Sequence, residues 1–117
     1  MATRNINRAY PGRQDGTFTE QIAYAITEMI KQNDITMEMD LHEASPEYPT
    51  INATVAGERA MTLASTGILN IQLAGIVMSL EPSPTNLRGL THRELTDWTD
   101  TYALLMETGN PSLGRMG

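Results

Sequence analysis

The stretch MTLASTGILNIQLAGIVMSL, Met61 to Leu80, carries no charged side chain in a chain of 117 residues with net charge −6. Three structures compete for it. A membrane span needs about 20 mainly apolar residues, and the length suffices. But Asn70 and Gln72 fall mid-run, amides cost several kcal/mol in lipid, and no aromatic or basic belt brackets both ends. A span is set aside. Between strand and helix the period decides. Leu69, Ile71 and Leu73 alternate with Asn70, Gln72 and Ala74, and after Gly75 the apolar set moves to Ile76, Met78 and Leu80, as a glycine bulge would produce. Met61 and Leu63 alternate with Thr62 and Ala64 in the same way. A helical stripe of Met61, Ala64, Ile68 and Ile71 also fits, so the helix stays open as the alternative. The preferred reading is strand.

The flanks supply the other elements. Thr17 and Glu20 form a capping-box pattern ahead of Phe18, Ile22, Ala25, Ile26, Met29 and Ile30, which recur on one helical face up to Asn33. In ITMEMDLH, Ile35, Met37, Met39 and Leu41 alternate with Thr36, Glu38, Asp40 and His42. This predicts a strand with its acidic side in solvent. Pro46 and Pro49 make an irregular link, TINATVAGERAMTLAS reads as a hairpin turning near Gly57 and Glu58, and EPSPTNLRG is a second loop. Thr91 and Glu94 predict another capping box, with Leu90 and Leu95 as its hydrophobic staple. Leu95, Trp98, Tyr102, Leu105 and Met106 form the stripe of a last helix, stopped by Gly109-Asn110-Pro111. The expected fold is α+β: an antiparallel sheet of about four strands flanked by an N-terminal and a C-terminal amphipathic helix. Residues 1–16 read as a basic arm, 17–108 as a single domain and 109–117 as a tail.

Composition narrows the chemistry. The acidic balance opposes nucleic-acid binding, which needs a basic face. With no cysteine there is no disulfide, thiol nucleophile or Cys-based zinc site, which suits a reducing compartment. The N-terminal stretch lacks the apolar segment of a signal peptide, so Asn52-Ala53-Thr54 reads as a chance sequon. Glu38, Asp40 and His42 on one strand face, and His92 with Glu94 at a helix start, hold metal-competent side chains without a metal-binding spacing. No nucleophile elbow and no phosphate loop occurs. No enzyme, metal or cofactor is expected. Arg4, Arg8 and Arg13 give residues 1–14 a charge of +3, leaving −9 on the rest of the chain. The segment reads either as a solvated leader or as an arm that docks on an acidic neighbouring copy. Tyr24 and Leu104 fall off the apolar stripes of the first and last helices and complete the candidate interface residues.

An opening amphipathic helix, a loop running into EYPTINATVAG, the stretch ILNIQLAGIVMSL, an acidic loop and RELTDWTDTYALLM together resemble the tail-terminator and tail-completion proteins of long-tailed bacteriophages. The resemblance covers roughly residues 17–108 and lies in the order of elements rather than in an invariant motif. It implies a structural protein without catalysis that forms a symmetric ring at the end of a tail tube, in a virion or in the host cytoplasm. Its implied partners are copies of itself and other virion or host proteins, with no nucleic acid and no membrane. The reading of a different class is a small acidic inhibitor or decoy that binds a host protein through acids such as Glu38 and Asp40.

Overall fold

A computed structural model of the chain describes residues 5–44, 47 and 51–109. A short 3-10 turn at Ile6–Arg8 leads into α1 (Phe18–Gln32), β1 (Met37–Ala44) and β2 (Ala53–Ala56). A second 3-10 turn, Glu58–Ala60, precedes α2 (Met61–Leu73), followed by β3 (Ser79–Pro82), α3 (Thr91–Trp98) and β4 (Tyr102–Gly109).

The first helix starts as its sequence predicts. Thr17 Oγ1 accepts from Glu20 N at 3.2 Å, and Glu20 Oε1 accepts from Thr17 N at 2.9 Å. At its far end Asp34 has φ 50°, and Ile35 N reaches back to Ile30 O at 3.1 Å, a Schellman closure.

The uncharged run is a helix, not a pair of strands. The stripe left open as the alternative is the one that packs: Ala64 and Ile68 are buried, with Met61 and Ile71 beside them half-buried. Gly75 is a helix stop rather than a bulge. At φ 86° it allows Ile76 N to donate back to Ile71 O at 3.2 Å, closing the last turn. Ser65, Thr66 and Asn70, which lower helix propensity, bond the carbonyls four residues earlier (Met61, Thr62, Thr66) and so remain inside the helix. The hairpin expected near Gly57 is therefore absent, and β2 feeds through the turn Glu58–Ala60 into α2 instead.

The last helix is half its expected length. After Trp98, Thr99 Oγ1 accepts from Thr101 N at 3.0 Å and donates back to Leu95 O, a local bonding pattern that competes with helix continuation. The chain then enters β4. This strand is central, with Ala103, Leu104 and Leu105 all buried, and a strand covered on both faces reads as a continuous apolar run. Trp98, expected in the buried stripe, is exposed instead. Leu104, expected on an outward helix face, is 5 % exposed and packs with Ala56, Ala60 and Ala64.

The four strands lie in the order β1-β4-β2-β3. The sheet is mixed rather than antiparallel: β1 runs parallel to β4, β2 parallel to β3, and only β2 and β4 are antiparallel. The parallel pair β2 and β3 follows from the helical crossover between them, since parallel neighbours need such a link. Adjacent residues of β4 point to opposite faces, which separates two cores. Ala103 joins Tyr10, Ala23, Ile30 and Leu95, so α1, α3 and the N-terminal segment cover one face. Leu104 joins the α2 side, so α2 covers the other.

Residues 5–16 of the basic N-terminal segment fold onto the first of these faces. Tyr10 is 6 % exposed and its N–H donates to Gly89 O at 3.2 Å. Thr27 Oγ1 donates to Pro11 O at 3.1 Å. Gly89, at φ 83°, lies against the backbone of Arg8 where no Cβ fits.

Candidate functional site

The helix and sheet surfaces left uncovered are strongly apolar. On α1 the buried residues are Ala23, Thr27 and Ile30. The residues expected to lead the core stripe lie about a third of a turn away and remain outside. Phe18 is 78 % exposed, and Ile22, Ala25 and Met29 are exposed as well. Their spacing of four, three and four residues is that of a seam that takes knobs from a second helix.

On the opposite face of the sheet α2 covers β2 and β3, where its sheet contacts lie, and reaches Met39 and Leu104. Past Met39, Leu41 on β1 is 71 % exposed, with Met37 and Tyr102 also open. The far side of α2 presents Leu69 and, 77 % exposed, Leu73, while Val77 in the following turn is 89 % exposed. β1 is also an edge strand of eight residues that pairs only with β4 among the described residues, a combination that single-chain proteins normally blunt.

The alternation of β1 is as its sequence predicts, but its faces are inverted. Met37 and Leu41 face out, whereas Glu38, Asp40 and His42 are half-buried under the α1/α3 layer. His42 Nε2 lies 3.1 Å from Asp40 Oδ2, and His42 Nδ1 lies 3.7 Å from Glu107 Oε2 on β4, its register partner. Glu38 Oε1 is buried without a hydrogen-bond partner. Burial, reinforced by the neighbouring Asp40 charge, pushes the Glu38 carboxyl up to about 7. Burial also raises Glu107, with His42 opposing it and Asp40 adding to it.

Beside this cluster, His92 is 1 % exposed on α3. Its Nε2 lies 2.9 Å from Ser83 Oγ, and its Nδ1 is buried without a partner. Burial, with His42 and Arg93 adding to it, drives His92 down to about 4, so the ring is neutral near pH 7. The His–Ser pair is a poor catalytic dyad. A general base works best with a pKa near the operating pH, and no acid orients Nδ1. The pair instead anchors the loop before α3, where Ser83 N also donates to Ala56 O at 2.8 Å.

Glu94 does not cap α3 as expected. Leu90 occupies the cap position without a side-chain bond, and Thr91 N and Oγ1 donate to Asn7 Oδ1 at 2.8 and 3.1 Å. Glu94, 2 % exposed, accepts instead from Gly89 N at 2.7 Å, Arg88 Nη2 at 2.9 Å and Trp98 Nε1 at 3.1 Å. Arg59 was not singled out by its sequence context. It donates to the carbonyls of Thr96, Thr99, Asp100 and Thr101, tying down the end of α3, and lies over the Tyr102 ring at 4.8 Å.

Of the five residues expected at an interface, Arg4 lies outside the described residues. Arg8 is exposed and donates to Asn7 O, and Arg13 is exposed and sits 3.6 Å from Asp15. Tyr24 is half-buried on α1, and Leu104 is core. Leu104, lying in the core, is set apart from the exposed Arg8 and Arg13. The signal for the apolar surfaces lay instead in the unusual width of the apolar arc on α1. Among the described residues no helix is long and apolar enough to cross a membrane, and no group of three His, Asp or Glu converges as a metal site. No family model, curated protein or solved structure matches the chain.

Proposed function

We propose that the chain is a non-enzymatic assembly protein whose copies associate head to tail into a closed, symmetric oligomer. The observation that carries this reading is the pair of exposed apolar surfaces on opposite faces of one sheet, the α1 seam and the α2/β1 side. A two-fold dimer pairs a patch with itself and leaves the other patch in water. A heterologous contact joins two different patches and, repeated, closes a ring. Burying a side chain such as Phe18 or Leu73 contributes about 1.5–3 kcal/mol before the cost of association. Several such residues on each surface make a stable contact reachable.

Within this class, placement at a phage tail or head–tail joint rests on the sequence resemblance. Of the residues that carry it, 93–98 are helical as that pattern requires, whereas 68–73 and 102–106 adopt the other secondary structure. The decoy reading draws less support, because Glu38 and Asp40 turn inward rather than toward a basic partner.

Light scattering coupled to size exclusion tests the proposal on wild type, Ile22→Asp and Leu73→Asp, with circular dichroism to confirm folding. Wild type is expected as a discrete multiple of 12.9 kDa, and each variant as a monomer. Mixing the two variants should give a 1:1 dimer and nothing larger, because each supplies one intact surface. A wild-type monomer at every concentration overturns the proposal, and so do variants that assemble as wild type does. Arg8 and Arg13 enter through salt: if the arginines dock on an acidic neighbour, the oligomer loosens as ionic strength rises.

A further inference from the structure

Between the N-terminal segment, the loop before α3 and the β2/β4 part of the sheet lies a cleft of about 240 Å³. Val55, Leu90 and Leu105 give it an apolar floor, and Glu107, His42 and His92 supply its polar groups. Arg8 and Glu81, both exposed, stand at its rim with opposite charges.

Two of the polar groups are built in rather than superficial. His92 is 1 % exposed, its Nε2 is held by Ser83, and its Nδ1 is unpartnered. Glu107 is 8 % exposed, and the His42 ring lies 3.7 Å away, beyond hydrogen-bond length. Asp40 and Glu38 continue the acidic row along the neighbouring strand. Three carboxyls thus face one side of the sheet, with His42 the only basic side chain among them on β1 and β4. The upward shifts of Glu38 and Glu107 reflect burial together with this crowding of negative charge.

We propose that this cleft binds a small organic cation, a primary ammonium or amidinium on a body of a few carbons. The charged head donates to the Glu107 carboxylate, beside the His42 and His92 rings of the same lining. The carbon body lies on Val55, Leu90 and Leu105. An organic cation fits better than a metal ion, since no three ligating side chains converge among the described residues and half of the lining is apolar.

The test is an NMR titration of the full chain near pH 7.5 with butylammonium and benzamidinium, with butyrate, Mg²⁺ and Zn²⁺ in parallel arms. The cations are expected to saturate and to shift the ring signals of His92 and His42, while butyrate leaves them unmoved. Glu107→Gln should weaken cation binding about tenfold to hundredfold, the worth of one charge-assisted hydrogen bond. The comparison of butylammonium with butyrate needs only the wild-type chain, so a poorly folding variant does not disable the test. Equal shifts with butyrate, no saturation with either cation, saturation with a metal ion alone, or unchanged affinity in a folded Glu107→Gln variant would each overturn the proposal.

Discussion

Replacing Glu38 by Gln isolates the cost of turning an acidic strand face inward. In the native chain the Glu38 carboxyl is pushed from 4.5 up to about 7, because burial and Asp40 both disfavour its charge. A group whose folded pKa exceeds its unfolded one contributes stability below the unfolded value, and loses it as pH rises through the folded value. Stability assigned to Glu38 therefore falls between pH 4.5 and about 7. Each pH unit is worth about 1.4 kcal/mol, giving an upper bound of about 3 kcal/mol. Partial exposure of the side chain brings this to about 1–2 kcal/mol. His92 acts with the opposite sign. Its value is lowered from 6.5 to about 4, so its contribution is full above pH 6.5 and is lost as pH falls through 4. Over pH 4.5–6.5 the two slopes oppose each other. Glutamine keeps the shape and removes the charge. The variant is expected to match wild type near pH 4.5 and to exceed it by about 1–2 kcal/mol at pH 8, as measured by urea unfolding across that range. A variant less stable at pH 8, or a gain independent of pH, would refute the argument that Glu38 is held ionised against its burial.

Leu104→Ala tests the placement of β4. As a buried residue against Ala56, Ala60 and Ala64 it should cost about 2–4 kcal/mol in urea unfolding, whereas an outward helical leucine would cost almost nothing. Arg59→Lys keeps the charge but loses the planar fork that reaches one carbonyl in the last turn of α3 and three after it. A loss of about 1–2 kcal/mol is expected, with early amide exchange at Thr99 and Thr101 as the local signature.

Local bonding made parts of this chain legible in its sequence. The capping box of Thr17 and Glu20 closes within four residues, so the start of α1 is set by local bonding alone. Alternation in Met37–Leu41 marked a strand, because a period of two belongs to the backbone itself. What lay beyond local reach was which partner each segment meets. Met61–Leu73 is uncharged, with apolar and polar residues interleaved around its circumference, so its period fitted two structures, and contact with β2 and β3 chose the helix. Residues 102–106 fitted a helical stripe, yet pairing with strands on both sides turned them into the centre of the sheet. The candidate sites divide in the same way. Arg8 and Arg13 were visible as charge, but the cleft joins residues from β1, β2, β4 and α3 that no spacing connects. Inversion of β1 was hidden for the same reason. Sequence shows which side chains share a face, while only the packed layers decide which face is covered, and here the apolar side chains Met37 and Leu41 are left exposed.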